Sequence, residues 1–133
     1  MSFKAELKFN DSKNVYTVID CDYEFTQDTD SSGKPCGITK FGRISVTVET
    51  ISDPVLIKWT LGSANIRSGS ITFFKDDSGK AKLKSLNFKQ AVCVYLHERF
   101  TSYGENPMIT ELAFVAQEVS IDGEDYESQW TNF

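Results

Sequence analysis

What this chain lacks narrows its function before any motif is considered. No segment approaches the roughly 20 consecutive apolar residues needed to span a bilayer. The N-terminal stretch MSFKAELKFN carries charges at every second position instead of an apolar run, so it does not read as a signal peptide. The chain is therefore expected to be made and folded in the cytoplasm. Cysteine is scarce: Cys21, Cys36 and Cys93 are odd in number, widely spaced and without a CxxC pair. That pattern fits free thiols better than a disulfide framework or a zinc site. A basic stripe is also missing. The 14 Lys and Arg are interspersed with 19 Asp and Glu for a net charge of −5. A sequence-independent nucleic-acid binder needs clustered cations to displace phosphate counterions, so nucleic acid is not an expected partner.

Catalytic signatures are absent as well. No GxSxG, HExxH, Walker loop or GxGxxG occurs. The single histidine, His97 in VYLHERF, is expected on the same strand face as Cys93 and Tyr95. Positions four apart in a strand lie roughly 13 Å apart, out of reach for proton transfer between Cys93 and His97. Asp20, Asp22 and Glu24 form a row of carboxylates, which on one strand face more often marks a wet surface than an acid–base site. No catalytic residue, cofactor or metal is expected.

What is present is strict alternation. Phe3, Ala5, Leu7 and Phe9 alternate with Lys4, Glu6 and Lys8, the pattern of a half-buried strand. The turn residues of NDSKN, 10–14, predict a hairpin into a second strand with Ile19, Cys21, Tyr23 and Phe25 on one face. Ile44, Val46 and Val48 mark a third strand. In DPVLIKWTLGS the period changes: Asp53 suits an N-cap, Pro54 the first helical position and Gly62 the end, predicting one short helix over Pro54–Leu61. Strands are then expected over Gly69–Lys75, Lys82–Phe88, Ala91–Phe100 and Ile109–Ile121. Thr101–Pro107 reads as a loop and DDSGK as a turn. The 133 residues, 40% apolar and 25% charged, suit one globular domain over 1–133. The predicted class is mainly β: an antiparallel barrel or two packed sheets of seven to nine strands with one short helix. Several strands are apolar on both faces (Tyr16 and Val18 opposite Ile19, Phe73 beside Phe74, and LAFVA from Leu112 to Ala116). One core covers one face only, so a partner subunit is a natural cover for the other.

The stretch DYEFTQDTDSSGKPCG, 22–37, raises the sharpest question. DTDSSG places Asp28, Asp30, Ser32 and Gly33 as in the first half of a calcium-binding EF-hand loop. Thr39 then stands where a bidentate glutamate is required, Pro35 interrupts, and the flanks are strands. As a plain connection the loop is long, and loops of that length are more often functional than idle. Its charged, Gly- and Pro-punctuated tip suits an arm that contacts something.

The order of these pieces resembles the tube protein of the type VI secretion system, the hemolysin-coregulated (Hcp, TssD) family, in its Bacteroidetes form. The resemblance runs from MSFKAELKF through GRISVTVET, SGSITFFK, AKLKSLNFKQAVCVYL and NPMITELAFVAQEVSI to DGEDYESQW. Its most specific portion is the aromatic–x–Phe–[Ser/Thr]–Gln–x–x–Asp–x–x–Gly–[Arg/Lys]–Pro pattern, here Tyr23, Phe25, Thr26, Gln27, Asp30, Gly33, Lys34 and Pro35. Cys36 stands where serine is usual and Lys34 where arginine is usual, a change that gives up bidentate contacts.

This resemblance implies a structural subunit, not an enzyme: a β-barrel with a helix on its flank. Copies would form hexameric rings that stack into a hollow tube inside a contractile sheath. The implied partners are other copies, the sheath, the spike or tip protein and secreted effectors, with export by the machine and no membrane span. The resemblance also makes Asp28–Gly37 a ring-stacking arm, with Asp28, Asp30, Ser31, Ser32, Gly33, Lys34, Pro35 and Cys36 as its contact residues. The helix residues Pro54, Leu56, Lys58 and Trp59 are placed at a subunit boundary or the lumen wall, with ordinary core cover the competing role. Three alternatives stand beside this: the tube of a phage tail or extracellular contractile particle, a small-ligand-binding β-barrel, and an enzyme using the carboxylates of the second strand.

Overall fold

The computed structural model describes residues 3–37, 39–62 and 65–128. Met1 and Ser2 of the first motif, and Gln129 and Trp130 of the last, lie outside them. In chain order the elements are β1 (Lys4–Phe9), β2 (Val15–Asp22), β3 (Phe25–Thr26), β4 (Lys40–Phe41) and β5 (Ile44–Glu49). These are followed by α1 (Val55–Leu61), β6 (Arg67–Phe74), β7 (Lys82–Phe100), β8 (Met108–Ile121) and β9 (Glu124–Glu127).

All pairings are antiparallel, and the sheet order β5–β2–β1–β6–β7–β8 closes on itself because β5 also pairs with β8, Ile44 opposite Phe114 and Val48 opposite Thr110. Closure into a six-stranded barrel removes most of the edges that a flat sheet would expose. β9 adds a short strand to β8, Val119 opposite Tyr126, while β3 and β4 form a separate two-stranded ribbon.

The barrel interior is solid. Phe9 packs edge-on against Tyr16, Trp59 and Phe88, and Phe114 lies against both Trp59 and Phe88. Leu7, Ile44, Val46, Val48, Ile71, Leu86 and Leu112 belong to the same buried cluster. Each comes from an alternating position of its strand, as the period of two requires. Gly69 shows how closely the strands approach: a Cβ there would meet the Lys8 carbonyl at 2.2 Å and the Phe88 ring at 3.0 Å. A side chain at this position would force β6 off β1.

Helix α1 plugs the barrel where β6 and β7 part. Leu56 and Trp59 are buried, and Trp59 Nε1 donates to the Ala91 carbonyl at 3.1 Å, satisfying the indole in the core. The helix begins one residue later than expected, with Pro54 just ahead of it, yet Asp53 still performs the capping job. Its Oδ1 accepts the Val55 amide at 2.9 Å. Its Oδ2 accepts the Tyr16 hydroxyl at 2.6 Å and the Asn14 side-chain amide, tying the helix start to the β1–β2 hairpin. Burial, and then this bond to Asp53, push the Tyr16 phenol well above its ordinary pKa.

Three expectations need correction, and bulges account for each. β2 carries one extra residue between Val18 and Asp20. Ile19 is therefore exposed, and the inward set is Tyr16 and Val18 before the bulge, Cys21 and Tyr23 after it. The strands expected over Lys82–Phe88 and Ala91–Phe100 are one 19-residue strand, β7, whose kink at Gln90 has φ 53°. A further bulge between Cys93 and Tyr95 puts Cys93 inside and leaves Tyr95 and His97 outside. Cys93 and His97 thus lie on opposite faces, not the same one.

Candidate functional site

The stretch 22–37 is a strand that leaves the barrel. Beyond Tyr23, the ribbon pairs Phe25 with Phe41 and Thr26 with Lys40, and the arm continues outward from it. The arm is an ordered hairpin. Thr29 bridges Pro35, Cys36 N donates to Asp28 O at 2.7 Å, and Asp30 N donates to Lys34 O at 2.8 Å. At the tip, Asp30 Oδ1 accepts three hydrogen bonds: Ser32 N at 2.9 Å, Ser32 Oγ at 2.7 Å and Lys34 N at 3.0 Å. Gly33, at φ 87°, supplies the left-handed step that lets the chain double back around the carboxylate. The Ser32 hydroxyl first, then the Lys34 and Ser32 amides, hold the Asp30 carboxyl below its ordinary pKa. The aspartate that resembled a calcium ligand is thus the organising acceptor of a turn.

Every residue from Asp28 to Gly37 is exposed, so Asp28, Asp30, Ser31, Ser32, Gly33, Lys34, Pro35 and Cys36 are brought together on one projecting feature. What holds its base was missed in the sequence. Phe25 and Phe41 pack at 4.6 Å between ring centres, and Tyr126 of β9 closes on them at 5.7 and 6.0 Å. Tyr23 stacks on Phe41 from the barrel side. Phe25 is part of this satellite cluster, half exposed, and not an anchor in the main core. The only available signal was an aromatic in the acidic run EDYE.

Two strand edges stay open. β2 pairs with β1 only over Val15–Thr17, so the side of Val18–Asp22 facing away from β5 has no strand partner among the described residues. β7 pairs with β6 only as far as Ala91, leaving the side of Val92–Phe100 facing away from β8 equally unpaired. Between these edges β2, β5, β8 and β7 form one four-stranded sheet. Its inner face is core, and its outer face presents Asp20, Asp22, Arg43, Thr47, Glu111 and His97. Burial, then the charges of Asp22 and Asp20, push the Cys21 thiol on this strand up to about 12.

The helix residues divide. Leu56 and Trp59 are core, whereas Lys58 is exposed beside Ile57 and Leu61, the last 78% exposed. That outer face stands next to the point where β7 loses its β6 partner.

A closed, side-chain-filled barrel with an ordered arm and two open strand edges defines a subunit built to join other subunits. The chain belongs to the Hcp (TssD) family: the family model for hemolysin coregulated protein Hcp matches residues 1–131. It is 31% identical to Hcp1 from Flavobacterium johnsoniae, with a TM-score of 0.84 over 94% of this chain and 99% of that one. A mutant Hcp1 from the E. coli EAEC 042 pathovar shares the fold at 15% identity, with a TM-score of 0.72 over 98% of this chain and 99% of that one. The baseplate of the anti-feeding prophage contains a more distant likeness, at 12% identity and a TM-score of 0.53 over 91% of this chain and 92% of that one. A comparison with curated proteins finds no match. The protein is thus a type VI secretion tube subunit, and the prophage likeness fits a particle tube no better.

Proposed function

We propose that copies of this chain form hexameric rings by joining the open β2 edge of one subunit to the open β7 edge of the next. We further propose that the rings stack through the arm Asp28–Gly37. The observation that carries this is the pair of unpaired edges on one four-stranded sheet. An open edge is a template for another strand, and two different edges on one subunit make a head-to-tail contact that closes into a ring. Ile57, Lys58 and Leu61 would flank that seam, while Pro54, Leu56 and Trp59 support it from within. The polar outer face of the sheet, which carries Asp20, Asp22, Arg43 and the His97–Glu111 pair at 3.8 Å, serves as a wall. Likewise, the solid interior leaves no room for a small ligand. The subunit is exported by the secretion machine and meets sheath, spike and effectors as the tube assembles and fires. Among the described residues no helix is long and apolar enough to cross a membrane.

Mass measurement and negative-stain imaging test this reading. The 15.0 kDa chain should run as a hexamer of about 90 kDa and show rings. Shortening Asp30–Pro35 should keep the rings and abolish their stacking. A compact monomer at all concentrations would overturn the proposal.

A further inference from the structure

We propose that His97 makes the edge-to-edge seam sensitive to pH: when protonated, it is held between Glu111 of its own subunit and Asp20 or Asp22 of the next. The proposal rests on the edge-joining reading above and adds the regulation of that contact.

The residues concerned form one row across the outer face of the four-stranded sheet. Asp20 lies opposite Thr47, Thr47 opposite Glu111, and Glu111 opposite His97. The adjacent row runs Asp22, Ser45, Ala113 and Tyr95. Each row therefore begins with a carboxylate on the open β2 edge, and the first ends with the imidazole on the open β7 edge. Every strand in the sheet is antiparallel to its neighbour, so β2 and β7 also run in opposite directions. Joining them head to tail continues the antiparallel ladder and keeps the same face outward. Side chains directly opposite each other in such a ladder have Cβ atoms about 5 Å apart. A straight continuation of the row sets His97 beside Asp20 of the next subunit. A slip of two residues sets it beside Asp22, so either register on this face brings a carboxylate.

In the separate subunit these charges do little. His97 Nδ1 lies 3.8 Å from Glu111 Oε2, with the two side chains 53% and 41% exposed, and ion pairs this wet contribute little to stability. Among the described residues neither Asp20 nor Asp22 has a cation within ion-pair distance. Closing the seam would bring a second carboxylate to the imidazole and remove water from one side of it. The other charged groups on this face are Arg99, two residues along β7, Glu49 in its row across the sheet, and Arg43 near Asp22. Glu98 turns to the opposite face, where Thr110 Oγ1 donates to it. Arginine and carboxylate side chains keep their charge between about pH 6 and 8, whereas histidine changes its charge there.

The proton on the imidazole then sets the strength of the seam. With it, two carboxylates share one cation; without it, Glu111 and the incoming aspartate are like charges with nothing between them. Because joining the edges favours the protonated form, protonation favours joining. The added strength is complete in mild acid and is lost as pH rises through neutrality. The backbone ladder of the seam does not titrate, so the effect is a shift in ring affinity and not an all-or-none loss. His97 is the only histidine in the chain, which makes the shift traceable to one residue.

The test dilutes rings of the full chain at about pH 6 and about pH 8 and follows their mass by light scattering; the concentration at which half dissociate should be about tenfold higher at the upper pH. His97→Gln should remove the difference and leave the weaker value at both. His97→Lys, with a charge that persists, should remove it and leave the tighter value at both. Asp20→Asn combined with Asp22→Asn should shrink the difference while the thermal melt of the subunit stays unchanged. Equal midpoints for the unsubstituted chain, or an undiminished difference in His97→Gln, would overturn the inference and leave the ring reading standing. A chain that stays monomeric at every pH and concentration would strike the ring reading, and this inference with it.

Discussion

The barrel and the arm are held together by opposite means. In the barrel, Phe9, Trp59, Phe88 and Phe114 interlock away from water. In the arm nothing is buried, and one carboxylate organises the turn through three hydrogen bonds. Apolar burial is strong and cooperative, so the barrel sets whether the chain folds. Exposed hydrogen bonds contribute little net stability but fix a shape, so the arm can be altered without unfolding the rest. If the arm is the stacking contact proposed above, this division lets that contact change without endangering the core.

Substitution should expose the difference at three places. The largest effect is expected from Trp59→Ala, which removes the ring at the centre of the aromatic cluster and the bond to Ala91. Large-to-small changes of this kind cost about 3–5 kcal/mol, so the midpoint of thermal unfolding should fall steeply and rings should be lost with the fold. A circular-dichroism melt close to that of the parent protein would show that the helix is a flank ornament and not a plug.

At the joint between the regions, Tyr126→Ala should act on the arm and spare the barrel. Each aromatic pair contributes about 0.5–1.5 kcal/mol beyond its buried area, and two such pairs hold the ribbon to β9. Hydrogen exchange at Asp30, Gly33 and Cys36 should quicken while barrel amides stay protected, and Tyr126→Phe should restore the parent rates. Uniform loss of protection would mean that the two regions are one cooperative unit.

The smallest effect is at the arm tip. Because the folded Asp30 carboxyl titrates below its ordinary value, its stabilisation of the turn is complete above that value and is lost as pH falls through the lowered one. The Ser32 and Lys34 amide resonances should shift in that acid window while the barrel melting temperature follows other groups. In Asp30→Asn the window should vanish. Persistence of the same shifts in the variant would assign the titration elsewhere.

Much of the barrel was legible in the sequence because burial on one strand face writes itself as a period of two. Leu7, Phe9, Ile44, Val46 and Val48 lie inside as their alternation required, whereas Phe3, on the same expected face just ahead of β1, is exposed. The hairpin at 10–14, the helix after Asp53 and the loop at 101–107 were legible from turn and cap chemistry. The single-residue bulges were not: Val94 and Ile19 look like any other strand residue, and an extra residue is recognised only by what its partner strand lacks. Short elements were missed for a related reason. β3, β4 and β9 have two to four residues each, too few to show a period.

The arm was legible as a long, charged, Gly- and Pro-bearing stretch, but its order was not. DTDSSG can fold around a cation or around its own amides, and the sequence offers the same donors and acceptors for both. By itself the sequence determined a mainly β domain with one helix, a filled interior, a projecting loop and membership in a tube-forming family. Only the tertiary structure decided which strand edges stay open, that Tyr126 clasps the arm and that Asp20 and His97 end one row across the sheet. The physical reason is that alternation and turn chemistry are local and act within a few residues. Open edges, the aromatic clasp and that row arise from residues up to a hundred positions apart, brought together only when the sheet closes.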